Sequence, residues 1–342
     1  MLVIVAVLGL AGVRGTEPSV RLVAVGDVLL DRGVAAVAAQ DGWGSILGRV
    51  GDLLGTADIA YANLECPVTH RYDPVPKKAR FRAEPVALQS VRDAGFDVLD
   101  LANNHSTDCG RPGLVDTMRW LRRNHLRWCG AGATMAEAES PTVVAAGNLR
   151  VAFVSFSDWL PEGLFPLEDR PTIALASPEA VARAAKRAAS DADVVVVGFH
   201  WGIEFGSTPT PRQRELAQAA VGAGAALVVG HHPHVLQGLE WMPGPNDRPA
   251  LVAYSLGNFV FDQYRNGSAN GALLECTLTR NGAEEARLVP IRITHCRPAL
   301  ADGNEARQIL SHLNRLSAGR GTAVWPDGVV ARQQRDRRGT GR

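Results

Sequence analysis

The sequence is short of net charge, of cysteine and of long apolar runs, and each shortage excludes something. Lysine and arginine number 36 against 35 aspartates and glutamates, a formal net charge of +1. That leaves no electrostatic footing for a nucleic-acid partner. The five cysteines are Cys66, Cys109, Cys129, Cys276 and Cys296, an odd number with no C-x-x-C among them. In a chain of 342 residues this argues against a disulfide framework and for reduced thiols in a cytoplasmic protein. The opening MLVIVAVLGLAGVRG is apolar, but it is too short to span a bilayer and has no basic region before it. A signal segment, a spurious upstream start and a first buried strand all fit it. No stable membrane insertion is expected, and export stays open. No GxxxxGK[ST] occurs, so an ATP-driven ligase of the phosphate-loop type is not indicated. There is no internal repeat.

What is present is apolar mass. Hydrophobic residues make up 46% and charged residues 21%, enough for a large core and too apolar for global disorder. Length alone allows one domain of about 300 residues or two of about 150.

A series of apolar runs ends, again and again, in polar residues suited to chemistry. SVRLVAVGDVLL reads as a strand ending at Gly26-Asp27, and ADIAYANLE as one ending at Asn63 and Glu65. FDVLDLANNH ends at Asn104 and His105, DADVVVVGFHWG at His200, and ALVVGHHPH at His232 and His234. VAFVSFSDW is a further strand, and LVAYSLGNFVF carries Asn258. Between them lie helix-like stretches with apolar residues at three and four spacing: PVALQSVRDAG, GLVDTMRWLRRN, SPEAVARAAKRAAS and TPRQRELAQAAVGAG. Thr210 reads as a cap with Pro211 in the first turn. Residues 160–178 and the stretch HRYDPVPKKARFRAEP read as long loops, the first a lid or a pocket wall. GALLECTLTRNGAEEARLVPIRI reads as a hairpin turning at Asn281-Gly282. The last forty residues read as an amphipathic helix and a loose tail with Arg332, Arg335, Arg337, Arg338 and Arg342.

Strands alternating with helices imply a layered α/β protein, and polar residues at the carboxyl ends of strands mark the usual place for its site. Five groups stand out: Asp27, Asn63 with Glu65, Asn104-His105, His200, and His232 with His234. Carboxylates and imidazoles are ordinary ligands of first-row divalent metals. Two metals close together activate a water and stabilise charge on a phosphoryl or carbonyl oxygen. Each residue also has a plain structural explanation. Asp27 could cap a helix, Glu65 lie on the surface, and Asn63 and Asn104 serve turns. The H-x-H pair is the strongest local signal, because in extended backbone His232 and His234 point the same way.

The order GD, NLE, NNH, HWG, GHHPHVLQ and SLGNF resembles the CapA-like proteins of poly-γ-glutamate capsule biosynthesis, themselves similar to calcineurin-like metallophosphoesterases. The resemblance covers roughly residues 21–265. It implies a four-layer α/β/β/α sandwich of two mixed sheets in a single domain over residues 20–310. Residues 1–19 form a short apolar segment before it, and residues 311–342 a carboxyl-terminal extension. It implies two divalent metals, with manganese, iron and zinc all compatible. Asp27 and His234 would hold the first, Asn104, His200 and His232 the second, and Glu65 would bridge. Leu29 stands where the superfamily usually has a histidine, so one ligand is missing or comes from elsewhere. His105 would be a general acid or an anion-stabilising donor. Asn63 would support Glu65 or hold substrate, and Arg32 would grip an anionic group or form a surface ion pair. Glu204 would orient a ligand histidine or touch substrate. His231 is expected to face away, and Asn258 either closes the pocket or sits in a turn.

The resulting expectation is a metal-dependent hydrolase for an anionic small molecule, peptide or polymer, with phosphoester and glutamyl amide bonds both open. The alternatives are an accessory protein that binds an anionic polymer, and an enzyme that forms amides or transfers an acyl or glutamyl group.

Overall fold

The computed structural model describes residues 17–72, 74–161 and 167–333. The apolar opening and the arginines beyond Arg332 lie outside the described residues. The chain runs from β1 (Ser19–Val28) through α1 (Arg32–Asp41) and two single turns, α2 (Gly44–Leu47) and α3 (Gly51–Leu54), to β2 (Ile59–Leu64). Then come α4 (Ala87–Asp93), β3 (Val98–Asp100), α5 (Gly110–Arg123) and β4 (Arg127–Cys129). Short β5 (Ala131–Gly132) and α6 (Met135–Ala138) precede β6 (Thr142–Ala146), β7 (Leu149–Ser157) and β8 (Thr172–Ile173). The next stretch holds α7 (Pro178–Asp191), β9 (Val194–His200), α8 (Pro211–Gly222), β10 (Leu227–His231), β11 (Leu239–Pro243), β12 (Pro249–Ala253) and β13 (Asn258–Val260). Last are β14 (Asn270–Thr279), β15 (Gly282–Thr294), β16 (Arg297–Leu300), α9 (Gly303–Ser317), β17 (Thr322–Val324) and β18 (Val330–Arg332).

The strands form an eight-stranded sheet, in the order β16-β15-β14-β1-β2-β3-β4 with β13 beside β1, and a six-stranded sheet, β11-β12-β10-β9-β7-β6. Both are mixed. Strands β1 to β4 are parallel, as are β7, β9, β10 and β12, while β14, β6 and β11 run the other way. Alternation along each strand sorts the side chains into three apolar layers. Val23 and Val25 of β1 face α1, α4 and α5, meeting Val34, Leu88 and Leu114. Leu22 and Ala24 face the other sheet, meeting a layer that includes Tyr61, Phe153, Val196 and Val229. Beyond that sheet, Val195 and Val197 pack under Val181 and Ala184 of α7 and Leu216 and Ala220 of α8. Three apolar layers separate four structural ones, which is the α/β/β/α sandwich. Because both faces of the central strands are covered, their sequences read as unbroken apolar runs such as VVVV. Each such leucine or valine buried contributes about 1.5–3 kcal/mol.

The helix α8 starts as expected: Thr210 caps it, Pro211 fills the first turn and Gln213 completes a capping box. The expected hairpin joins β14 and β15, but its two turn residues are Arg280-Asn281, with Gly282 already paired to Thr279. LVAYSLGNFVF supplies two strands. β12 pairs with β10 in one sheet, and β13 pairs with β1 in the other. The end of the chain is also more built than a helix and a loose tail. β17 and β18 form a hairpin after α9. Ile309, Leu310, Leu313, Val324 and Val330 enter the layer between the sheets, so the boundary expected at residue 310 falls inside α9.

Candidate functional site

The parallel strands of both sheets end at the same edge, and the chemistry gathers there. β1 reaches that edge with a bulge. Ala24 pairs with Tyr61 but Asp27 with Asn63, so β1 advances three residues where β2 advances two. The extra residue re-aims the strand, and Asp27 joins the site face instead of Gly26. The chain approaches the β12–β13 crossover closely at that point. A Cβ at Gly26 would lie 1.9 Å from the Gly257 carbonyl oxygen, and Gly257 itself has φ of +71°. Both positions require glycine. The Asp27 amide donates to Gly257 O at 3.1 Å, which fixes Asp27 beside Asn258.

Five of the expected ligands meet at this edge. Asp27, Glu65 and His200 present atoms within 4.8 Å of one another, as do Glu65, His232 and His234. Glu65 belongs to both groups, the position a bridging carboxylate would take. His234 Nδ1 lies 3.2 Å from Asp27 Oδ2, and its Nε2 lies 3.6 Å from Glu65 Oε1. His200 Nε2 lies 2.9 Å from Asn104 Oδ1 and 4.0 Å from Glu65 Oε1. These contacts keep His234 with Asp27 and His200 with Asn104. The His200 and His232 rings are 4.7 Å apart.

Both carboxylate oxygens of Glu65 and Nδ1 of His232 are buried without a hydrogen-bond partner among the described residues. Leaving a buried polar atom unpaired costs about 1–3 kcal/mol, and more for a charged group. Such atoms clustered among imidazoles fit a divalent cation of borderline hardness. The electrostatics agree. Burial holds the His200 imidazole well below its usual value, helped by His232 and His234. Burial and His234 bring His232 down to about 3. Both are therefore neutral, the form that binds metal. Burial opposes charge on His234 as well, but Glu65 and Asp27 prevail and push it up to about 9. Burial drives Glu65 well above the carboxylate range against the pull of His234. Burial acts the same way on Asp27, but the hydrogen bond and charge of His234 outweigh it and hold the group low.

The backbone behind the H-x-H differs from the expectation. β10 ends at His231, and His232 and His234 have φ of +93° and +58°. They converge through a left-handed turn, with ring centroids 5.8 Å apart, and not through strand alternation. His231 faces into the sandwich. It is fully buried, its Nε2 3.2 Å from Val25 O and its ring 6.0 Å from that of Tyr61.

Asn63 is fully buried and does not touch Glu65 by hydrogen bond. Its amide nitrogen donates to Asp27 Oδ1 at 2.8 Å and lies 3.5 Å from His200 Nδ1, while its oxygen accepts from Asn103. It supports the cage and has no face for substrate. Glu204 is exposed, and no hydrogen bond joins it to a histidine among the described residues; its charge adds to the raising of Glu65. The histidines are instead oriented by Asn63, by Asn258 (Oδ1 2.9 Å from His234 Nδ1) and by Asp108 (Oδ2 2.7 Å from His105 Nδ1). Asn258 thus closes the cage from behind. Leu29 is fully buried in the helix-side apolar layer and brings nothing to the site. Arg32 pairs with Asp262 and lies 4.5 Å over the Phe81 ring. Trp159, 5.0 Å from His232, and Phe205, 6.3 Å from His234, form an aromatic rim.

Sequence reasoning missed Asn103, Asp108, Lys77 and Phe81. Asn103 is buried and ties Asn63 and Leu64 O to the NNH turn. Asp108 had a usable signal, a carboxylate three residues after His105. Lys77 and Phe81 had none, since they come from a distant loop. The Phe81 ring stacks on His105 at 3.9 Å.

Comparison with known proteins adds the family. The model of the bacterial capsule synthesis protein PGA_cap matches residues 21–263. The capsule biosynthesis protein CapA of Bacillus anthracis is 33% identical over 282 residues, covering 80% of this chain and 67% of that protein. The PGA biosynthesis protein CapA of Bacillus subtilis is 34% identical over 287 residues, covering 83% and 74%. A hypothetical protein from Thermus thermophilus, 16% identical, superposes with a TM-score of 0.51 over 80% of this chain and 100% of that one; that likeness concerns the fold.

Proposed function

This chain belongs to the bacterial capsule synthesis protein family, and from that premise we propose that it is a metal-dependent hydrolase acting on an anionic substrate. The observation that carries the reading is Glu65: a buried carboxylate with two unpaired oxygens, shared by two groups of histidines and acids at an open sheet edge. Asp27, Glu65, Asn104, His200, His232 and His234 would hold two divalent cations. Such cations supply polarisation of a substrate oxygen and an activated water.

The rest falls to the chain's own groups. Asp108 accepts from His105 Nδ1, so Nε2 of His105 is the atom left for proton transfer. Burial lowers the His105 pKa although Asp108 opposes it. The imidazole is therefore neutral at rest and must take up a proton before it delivers one to a leaving group. Arg32 uses one edge of its guanidinium on Asp262 and keeps the other for an anionic substrate group. Trp159 and Phe205 narrow the mouth and restrict water. A phosphoester and a glutamyl amide both suit an anion-seeking site.

Among the described residues no helix is long and apolar enough to cross a membrane. All five cysteines are buried, and none is in a disulfide. From those thiols we infer a reducing compartment.

The deciding experiment is elemental analysis of protein purified without chelator or nickel, followed by assays on bis(p-nitrophenyl) phosphate and γ-glutamyl-p-nitroanilide. About two equivalents of metal with turnover of either probe support the reading. No metal after reloading with manganese, iron and zinc would overturn it in favour of an accessory binding role.

A further inference from the structure

His105 is held on three sides by groups that the NNH motif does not contain. Asp108 lies 2.7 Å from Nδ1, Phe81 stacks on the ring, and Lys77 sits behind both. The Lys77 side chain is 3% exposed and that of Asp108 is 1% exposed. A lysine is seldom buried this deeply unless it is paired. Its Nζ donates to Asp108 Oδ1 at 2.8 Å and to the Asn104 carbonyl at 2.9 Å, and lies 3.3 Å from His105 Nδ1.

The donors around Asp108 decide the tautomer. Asp108 Oδ1 is taken by Lys77, and Oδ2 receives both the Phe81 amide at 2.7 Å and His105 Nδ1. Donors on both oxygens leave the carboxylate little freedom to turn. His105 Nδ1 must then carry hydrogen, because the Asp108 acceptor at 2.7 Å is closer than the Lys77 ammonium at 3.3 Å, which by itself would call for a lone pair there. The loop that carries Lys77 is tied to the same turn by its backbone, with Val75 N donating to Asp108 O at 2.9 Å. It is a fixed wall at this point.

We propose that Lys77 is a positioning residue for His105. By occupying Asp108 Oδ1 and the Asn104 carbonyl together, it locks the imidazole in the Nδ1–H tautomer with Nε2 toward the site. It acts through Asp108 and touches no substrate. The proposal rests on His105 being the proton-transfer group of the hydrolase reading, but its first test does not depend on turnover.

That test is the nitrogen spectrum of the full-length protein labelled with [15N]histidine, with His105 assigned from the His105→Asn variant. Wild type should show one Nδ1–H tautomer. Lys77→Met should show a mixture of tautomers, and Lys77→Gln, which can still donate to Asp108, should restore the single form. If wild-type protein turns over bis(p-nitrophenyl) phosphate, Lys77→Met should lose about 10- to 100-fold in kcat with KM little changed, and Lys77→Gln should recover most of it. A single Nδ1–H tautomer in Lys77→Met, or a second tautomer already present in wild type, overturns the proposal. Should Lys77→Met not fold, Lys77→Gln decides alone: its single tautomer supports the proposal, and a mixture despite an intact fold and a retained Asp108 overturns it. Absence of turnover in wild type counts against the hydrolase reading and leaves the spectral result to stand by itself.

Discussion

Asp100 and Glu65 are both fully buried carboxylates near the carboxyl ends of neighbouring strands, and their surroundings could hardly differ more. Asp100 lies between the sheets. Its Oδ1 accepts from Ser155 at 2.6 Å and the Ala102 amide at 2.7 Å, and its Oδ2 from Tyr61 at 3.1 Å. Gly198 makes room for this group, since a Cβ there would come within 2.0 Å of the Tyr61 hydroxyl. Glu65 lies at the sheet edge with neither oxygen bonded. One region satisfies its polar atoms inside the protein. The other leaves them open, with histidines around them. Burial alone does not mark a site; burial without internal satisfaction does.

Four experiments can break or sharpen that contrast, beginning with the largest effect. Glu65→Gln should weaken manganese binding by more than about 100-fold, and His232→Ala and His234→Ala should each lose bound metal. Without metal, Glu65→Gln should melt no lower than wild type, because an unpaired carboxylate has gone. Titration calorimetry and a thermal scan read the two, and undiminished metal content in all three variants would sink the cage.

Asp100→Ala should behave the other way. It strands the Tyr61 and Ser155 hydroxyls and the Ala102 amide, at a cost of about 4 kcal/mol in urea unfolding, with metal content intact. A loss of metal without a loss of stability would erase the distinction between the two regions.

The third experiment concerns pH. Burial raises Asp100 to about 6, whereas an unfolded aspartate titrates near ~3.9. The folded state therefore holds the proton more tightly. Stability from this group is greatest below pH ~4 and falls as pH rises, by about 3 kcal/mol in all once pH ~6 is passed. Asp100→Asn should remove that slope from unfolding measured between the two pH values; an unchanged slope would place the titration elsewhere. The smallest effect is expected at Leu29→His. Because Leu29 packs in the helix-side layer, a histidine there should cost about 2 kcal/mol and leave metal stoichiometry as it was. A gain of bound metal would show that this side chain can reach the cage.

Much of this was legible from residues alone. The unbroken apolar runs of β9 and β10 announce strands covered on both faces, and Thr210-Pro211 announces the start of α8. Glu65 and the H-x-H pair were legible as donors, because metal chemistry needs those residue types and their density at strand ends exceeds what turns require. The supporting shell was not. Asn63, expected to help Glu65, serves Asp27 and His200 instead. Glu204, four residues from His200, does not orient it. Asn258 orients His234 after the chain crosses from one sheet to the other, a step that no local pattern signals.

The amino-acid sequence by itself determined which residues could bind a cation, which strands would be central and where helices begin, since propensity, capping and periodicity act over a few residues. Only the tertiary structure decided which donors face one another. The bulge that turns Asp27 inward, the left-handed turn that brings His232 and His234 together, and the loop that lays Lys77 and Phe81 against His105 all depend on packing between segments far apart in the chain. Local sequence carries no free-energy term for such contacts; they acquire one when the two sheets close on each other.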